Sequence, residues 1–287
     1  MTTVRPFFVI ALAALALWAQ APPAGDGRGK AKAAAADGKG GRAGGGKAAE
    51  TKELAPPPDP QVLRYVRPDV YLITGEGGNS VFRVTPEGVI LVDTKTAKSG
   101  NYERLVELVR GITPQPVKTV LNTNSQPDHA GNNERFQMAG AQIATGNPGT
   151  SQVVLFAALH AHTGNDSAFL FPADRVIAIG DLIAANRPPV VNYASGGSFT
   201  GIAQALEGIA ALTWDVAIPG HGDPMNHAAV EAYRTKLKAL IDRAHEVIAR
   251  GVTKEQMVAQ IKVDDLGWQL RLDAAQLEGF YTEMSAR

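Results

Sequence analysis

Short β-branched runs bounded by turn residues follow one another through the middle of the chain and restrict its fold more than any other feature. Three of them come first, at 70–73, 80–84 and 89–92, separated by a Gly-rich segment and a Pro-Glu-Gly turn. Runs of this length and composition predict strands, and the short connections predict antiparallel pairing. A helical face at 102–112 and a further strand at 117–121 follow.

The second half of the chain changes from strands to helices. The segment 146–156 is interpreted as a brief irregular connection that contains Gly, Pro and Ser. Strands followed by helices predict a layered α/β sandwich with a helical C-terminal extension. The remaining predicted elements are a strand at 142–144, a hairpin of 168–171 with 175–179, helices at 202–212 and 228–250, and two short helices within 253–284.

The N-terminus has the order of a secretory signal. Arg5 precedes an apolar run at 7–18, and small residues follow it. The run of about twelve residues is shorter than the roughly twenty that cross a bilayer. We therefore predict a signal peptide at 1–21, a periplasmic or secreted protein, and no stable membrane insertion after cleavage; an uncleaved anchor is the alternative.

The segment 22–60 consists mainly of Ala, Gly, Lys and Pro. Because it has almost no large apolar side chain, it cannot bury enough surface to offset the entropy of ordering. It is predicted to be a disordered linker. A catalytic domain at 61–250 and a helical extension at 251–287 then complete the predicted organisation.

Overall composition excludes some chemistry and some partners. Lys and Arg together number 28, and so do Asp and Glu, so no net positive charge indicates a nucleic-acid partner. The chain has no cysteine, which excludes disulfides, thiolate ligands and a thiol nucleophile. A small molecule is the predicted substrate, and the composition does not determine an oligomeric state.

Imidazole and carboxylate side chains follow the predicted strands. Asp128 and His129 come after the strand at 117–121, His162 precedes the next hairpin, and Asp181 and His221 each follow an apolar run. Loops at one edge of a rigid sheet are where sites are built. Together these residue types suit a Zn²⁺-type cation. Each alone has a plainer interpretation: a turn for Gly-Asp, a helix start for Asp-His, and a surface position for a single His.

Four blocks in this order resemble the motifs of the metallo-β-lactamase fold. Residues 122–132 resemble the signature T-H-x-H-x-D-H-x-G-N, and Ala161-His-Thr163 with Asp166 resembles the second block. Gly180-Asp181 is similar to the third block, which supplies a bridging carboxylate, and 218–222 to the fourth. The resemblance covers roughly 65 to 250. It implies a four-layer αββα sandwich and a metallohydrolase.

The resemblance also implies two metal sites, of which one is incomplete here. The second site would consist of Asp128, His129, His221 and the bridging Asp181. In the first site, amides stand where two histidines are usual, at Asn124 and Gln126, and only His162 and the shared Asp181 remain. Because amides are poor zinc donors beside imidazole, we predict one zinc ion and a doubtful second site.

Three functional interpretations follow from the altered site. In the first, a mononuclear zinc hydrolase cleaves an ester-, thioester-, lactone- or amide-type bond with a metal-associated water. Asp128 holds the metal there, and His162 acts as general base. In the second, His160 partly replaces a lost ligand, since alternation in an extended His160-Ala-His162 would put both imidazoles on one face; the plainer alternative for His160 is a polar residue at a strand end. The third is a catalytically impaired pseudoenzyme that binds a ligand or a partner.

Other polar residues receive smaller roles. Asp93 is predicted to brace the ligand loops as a hydrogen-bond acceptor. Tyr193 either faces a substrate or belongs to a structural turn. His227 and His245 are expected on the solvated surface of the helix at 228–250.

Overall fold

The computed structural model describes residues 60–146, 148 and 151–286. Apart from Pro60, the predicted signal peptide at 1–21 and linker at 22–60 lie outside the described residues, so both stay predictions. None of the described helices combines the length and the apolar character that crossing a membrane requires.

Six strands form the first sheet, in the order of the sequence. The first four pair antiparallel and the last two pair parallel, because a helix crosses over between the fourth and fifth strands. The strands are β1 (Val62–Arg67), β2 (Val70–Thr74), β3 (Ser80–Thr85), β4 (Gly88–Val92), β5 (Val117–Leu121) and β6 (Gln142–Ala144).

Four strands form the second sheet. These are β7 (Val154–Leu159), β8 (Asn165–Phe171), β9 (Val176–Ala184) and β10 (Val216–His221). The spatial order is β10-β9-β8-β7, with β10 parallel to β9 and the other pairs antiparallel. The parallel pair places the C-terminal ends of β9 and β10 together.

The helices lie on both sides of the sheets. They are α1 (Asn101–Arg110), α2 (Pro127–Ala130), α3 (Asn133–Met138), α4 (Phe199–Ala210), α5 (His227–Ala249), α6 (Lys254–Gln260) and α7 (Ala274–Ser285). Two short 3₁₀ turns, Tyr193–Ser195 and Asp264–Leu266, complete the described elements. The helical C-terminal extension predicted from the sequence is therefore present.

Alternation along the strands sorts their apolar side chains into three cores. Leu72 and Phe171 meet between the sheets. Ile73, next to Leu72, faces the other way and packs with Leu105 of α1. The outer face of the second sheet packs under α4, α5 and α7, around the fully buried Trp214. The full burial of a Leu, Ile or Phe side chain contributes roughly 1.5–3 kcal/mol to folding. Helix, sheet, sheet and helix layers confirm the predicted αββα sandwich.

Three local expectations are corrected. β7 occupies part of 146–156, where an irregular connection was expected; its run of Val, Leu, Phe and Ala does not alternate, and pairing with β8 makes it a strand. β9 does not end at Ile179. It continues to Ala184 through an irregularity at Gly180, which has φ 53°. β1 was not predicted at all.

Candidate metal centre

Four different elements bring the predicted site residues together. Asp128 and His129 lie in α2, which follows β5 and begins with Pro127 at its first position. His221 is the last residue of β10, and His162 lies in the connection between β7 and β8. Asp181 lies inside β9, beyond the irregularity at Gly180, rather than on a loop as the sequence suggested.

Asp128, His129 and His221 form a compact cluster of potential ligand atoms. One such atom from each residue lies within 4.8 Å of the other two. The Nε2 of His221 is 3.1 Å from Asp128 Oδ2, and the Nε2 of His129 is 3.8 Å from the same oxygen. Separations of this size are those of groups that surround a cation at about 2 Å each.

Asp181 contacts both imidazoles of this cluster. Its Oδ2 is 3.1 Å from the Nε2 of His129, and its Oδ1 is 3.7 Å from the Nε2 of His221. Asp181 therefore contacts both imidazoles, although the group whose atoms all lie within 4.8 Å of one another contains only Asp128, His129 and His221. Imidazole and carboxylate are usual zinc donors, and three such ligands leave a position open for water.

Asp93 sets the orientation of His129. Its Oδ2 lies 2.8 Å from the Nδ1 of His129, and it also accepts bonds from the backbone and hydroxyl of Thr123. A carboxylate only accepts, so Nδ1 carries the proton and Nε2 faces the cluster. That Nε2 is buried and makes no well-formed hydrogen bond, despite its 3.1 Å approach to Asp181. Asp93 thus braces the site as predicted and directs the Nε2 of His129 toward the cluster, where it can ligate a cation.

The charges of the cluster shift its protonation strongly. Burial alone would lower the pKa of His129, but the carboxylates of Asp93 and Asp181 outweigh it and raise that pKa to about 11. Burial alone would raise the pKa of Asp181, but the 3.1 Å contact with His129 and the charge of that imidazole lower it to about 2. The hydrogen bond from His221 lowers the pKa of Asp128. Without metal a proton on His129 offsets part of the negative charge of these carboxylates, and a metal ion must displace it.

Asn124 presents the wrong group for a metal ligand. Its Oδ1 accepts from the backbone N–H of Gln126 at 2.9 Å, which turns its Nδ2 toward Asp181 Oδ2 at 3.3 Å. An amide nitrogen has no lone pair to donate to a cation. The first site of the expected pair therefore has a hydrogen-bond donor in the place of an imidazole, and its remaining imidazole is His162.

His162 is held in one tautomer. Its Nδ1 lies 2.7 Å from the carbonyl oxygen of Val190, and because a carbonyl only accepts, the Nδ1 carries the proton. The Nε2 is buried, makes no hydrogen bond and lies 3.5 Å from Asp181 Oδ2. Its lone pair faces the site, where it can accept a proton.

Comparison with known proteins agrees with this geometry. Residues 73–141, which include the 122–132 block, match the sequence model of the metallo-β-lactamase superfamily. The matched residues include part of the first sheet and the segment of α2 that contains Asp128 and His129. Members of this superfamily are usually hydrolases. No curated protein sequence matches the chain.

Solved structures with the metallo-β-lactamase fold resemble the chain at low sequence identity. A metallo-β-lactamase from Pontibacter korlensis has a TM-score of 0.56 at 16% identity, over 62% of this chain and 99% of that one. The mono-zinc form of the metallo-β-lactamase FIM-1 from Pseudomonas aeruginosa has a TM-score of 0.54 at 14% identity, over 63% and 96%. The sec-alkylsulfatase Pisa1 from Pseudomonas sp. has a TM-score of 0.63 at 14% identity, over 77% of this chain and half of that one.

Two glycines let the segments that contain the candidate ligands approach one another. A Cβ on Gly78 would lie 2.5 Å from the ring of His129, and a Cβ on Gly220 would lie 2.1 Å from Asp181 Oδ1. Asn79 ties these segments together, since its Nδ2 donates to the carbonyls of Pro219 and Gly222 at 2.9 Å each. The early Gly-Gly-Asn motif therefore packs directly against the metal centre.

A cavity of about 180 Å³ opens over the centre. Arg187 and Val190 line it, and neither was singled out from the sequence. Arg187 precedes a Pro-Pro pair in a connecting segment, and no pattern in a single sequence distinguishes such an arginine from a solvated one. The complete lining is Gln126, Asp128, His162, Asp181, Ile183, Ala184, Arg187, Val190 and His221.

The secondary candidates lie outside the cluster. The backbone turns at His160, which has φ 55°, and the Nδ1 of His160 contacts the carbonyl of Gly196 at 3.1 Å. The extended His160-Ala-His162 arrangement is therefore wrong. Tyr193 lies in a 3₁₀ turn, and its hydroxyl donates to Glu283 at 2.7 Å, as the structural interpretation expects. His227 and His245 are exposed on α5, as predicted.

Proposed function

We propose that this protein is a mononuclear zinc hydrolase that cleaves an ester-, thioester-, lactone- or amide-type bond in a small molecule. The observation that carries the proposal is the cluster of Asp128, His129 and His221, with Asp181 in contact with both imidazoles. The buried Nε2 of His129 has no well-formed hydrogen bond there. Two imidazoles and two carboxylates suit zinc, and the absence of cysteine excludes thiolate sites.

When bound, the ion would lower the pKa of water and polarise the bond to be cleaved. The other chemistry belongs to the side chains. His162 would accept the proton of the attacking water at its Nε2, because its Nδ1 is committed to Val190. Asp181, 3.5 Å from that nitrogen, stabilises the imidazolium that results. Asp128 and His221 hold the ion beside the cavity.

We also propose that the protein acts outside the cytoplasm. The basic residue, apolar run and small residues of the first 21 positions support export to the periplasm or beyond. A fusion of residues 1–25 to a reporter that is active only after export tests this. Activity that persists after the apolar run is interrupted by two lysines would count against it.

Metal content is the first test of the hydrolase proposal. The purified wild type is expected to contain about one equivalent of zinc, because one complete ligand set is present. Asp128→Ala is expected to lose it. Asp242→Ala, which removes an exposed carboxylate of α5 paired with Lys238, serves as the matched control and should retain the zinc. Wild type without any metal would contradict the proposal.

A substrate screen is the second test. It covers esters, thioesters, lactones and β-lactams, with alkyl sulfates added because a sec-alkylsulfatase shares the fold. Asp128→Ala and His162→Ala should each abolish turnover. Activity that survives both substitutions would place the chemistry elsewhere. Bound zinc without turnover of any substrate would favour the ligand-binding alternative, which the Asn124 substitution in the first site supports.

A further inference from the structure

A second and larger cavity lies beside the metal centre. Its volume is about 460 Å³, and it shares Arg187 and Val190 with the cavity over the metal ligands. One wall is the segment 186–193, which follows β9. The other wall is 267–276, which belongs to the C-terminal extension. We call this cavity the extension groove.

The lining of the extension groove combines apolar side chains with positive charge. Pro188, Pro189, Leu270 and Leu272 supply much of the apolar surface. The charged residues of the lining are two arginines, and no carboxylate is among the residues that line it. Such a groove fits a molecule with an apolar body and a negative group.

Arg187 is the arginine that is free to bind this negative group. Arg271 already donates to Gln269 at 2.8 Å. Arg187 forms no hydrogen bond or ion pair through its side chain with any described residue. It lines both cavities, so an anion bound to it would lie at the boundary between the groove and the metal centre. A guanidinium matches a carboxylate in a two-bond geometry.

The groove wall and the metal centre share one piece of backbone. The carbonyl of Val190 binds the Nδ1 of His162 at 2.7 Å, and the N–H of Asn192 donates to the carbonyl of His162 at 2.8 Å. Two prolines precede Val190 and fix the φ of this wall. These hydrogen bonds therefore fix the position of this groove wall relative to the imidazole of His162.

The opposite wall is anchored through α7. The carboxylate of Glu283 accepts from the hydroxyl of Tyr193 at 2.7 Å and from the backbone N–H groups of Phe199 and Thr200 at 3.1 and 2.8 Å. A Cβ on Gly279 would lie 2.3 Å from the ring of Tyr193, so α7 packs tightly on this turn. These contacts position the extension beside the site before a ligand arrives.

We propose that the extension groove binds the apolar body of a carboxylate-bearing substrate whose carboxylate pairs with Arg187. The scissile bond then lies on the metal side of Arg187, and the apolar tail lies between the prolines and the C-terminal extension. The statement about the scissile bond rests on the proposed hydrolase function, whereas the binding of the anion does not. The substrate class is thus an ester, thioester, lactone or amide with a carboxylate near the reacting carbonyl.

Calorimetric titration of the zinc-loaded protein tests the binding. The probes are 4-phenylbutyrate and its neutral counterpart 4-phenylbutyramide. We expect the carboxylate to bind at least tenfold more tightly than the amide, and Arg187→Gln to remove that difference. Arg110→Gln, at the end of α1 on the outer face of the first sheet, is the matched control and should leave it unchanged. Because Arg187 is exposed, its variant should have the unfolding midpoint of the wild type.

The outcomes separate the groove from the hydrolase. Equal affinity for the two probes, or no effect of Arg187→Gln, overturns the proposal. Carboxylate binding that disappears on removal of zinc and persists in Arg187→Gln would mean coordination to the metal, which also overturns it. Arg187-dependent binding without turnover of any substrate supports the groove and counts against the hydrolase. Turnover that does not depend on substrate charge, without binding of either probe, supports the hydrolase and counts against the groove.

Discussion

The side-chain amide of Asn124 donates a hydrogen bond to Oδ2 of Asp181 at 3.3 Å. The same oxygen lies 3.1 Å from the Nε2 of His129 and 3.5 Å from the Nε2 of His162. One carboxylate oxygen therefore faces an imidazole of each expected metal site, with a neutral donor beside them. The Asn124 amide thus partly satisfies the hydrogen-bonding capacity of the Asp181 carboxylate, a role that a metal ion in the first site would otherwise fill. The two expected metal sites are unequal for this reason.

Restoring the lost imidazoles should create the second metal site. In Asn124→His with Gln126→His, two nitrogen donors join His162 and Asp181, so zinc content should rise from about one equivalent to about two. Atomic emission on dialysed protein measures it. Asn124→Ala with Gln126→Ala is the control and should stay at one. A double histidine variant that also stays at one would show that the pocket no longer has the geometry for two ions.

Asp93→Asn should weaken zinc binding by about 10- to 100-fold, because the Nδ1 of His129 loses its charged acceptor. Asp93 has φ 63°, a conformation that Asn also tolerates, so the backbone should remain in place. Competition with a chromophoric chelator gives the affinity. Asp242→Asn on α5 should leave it unchanged, and an unchanged affinity in Asp93→Asn would contradict the bracing role.

Zinc binding should release about one proton from His129 between pH 7 and 9. The pKa of this imidazole is raised from 6.5 to about 11 in the metal-free protein. The stabilisation it provides is thus complete below about pH 6.5 and is lost as the pH rises through about 11. Asp128 and Asp181, whose pKa values are lowered, release none in this range. The logarithm of the zinc affinity should rise by about one for each pH unit.

Calorimetry in buffers of different ionisation enthalpy measures this release. His245→Ala, which removes an exposed imidazole of α5, should leave the count unchanged. Zinc binding without any proton release at pH 8 would show that His129 is already neutral in the metal-free protein.

Gly78→Ala should destabilise the metal-free protein by about 1–3 kcal/mol, because the new methyl group would press on the buried ring of His129. Urea unfolding with a chelator present measures the free energy. At Gly111, which has φ −65°, the nearest atom to a new Cβ is 3.4 Å away. Gly111→Ala should therefore change stability by less than about 1 kcal/mol. Equal effects of the two substitutions would argue against close packing at His129.

Ordered motifs were enough to predict the layers of the fold and the cluster of site residues. The strands at 70–73, 80–84 and 89–92 alternate and are bounded by turns, so local pattern identifies them. β7 lacks that alternation, and only its pairing with β8 makes it a strand. The continuation of β9 past Gly180 likewise depends on its neighbour β10, because a glycine in the sequence indicates a strand end as readily as an irregularity.

Side-chain orientation was not accessible from the sequence. The blocks identify Asn124 as a substituted ligand, but only the N–H of Gln126 shows which end of the amide faces Asp181. His160 has the spacing of a ligand, and a positive φ turns it away. Arg187 becomes noticeable only when the C-terminal extension is placed opposite it. Each of these depends on contacts between segments that are distant along the chain.

Anomalous diffraction on either side of the zinc absorption edge tests the central claim most directly, with crystals of protein loaded with excess zinc and then washed. The predicted result is a single peak at the centre, within about 2.3 Å of donor atoms of Asp128, His129, Asp181 and His221. A peak bounded by Asn124, Gln126 and His162, or no peak at the centre, would contradict it.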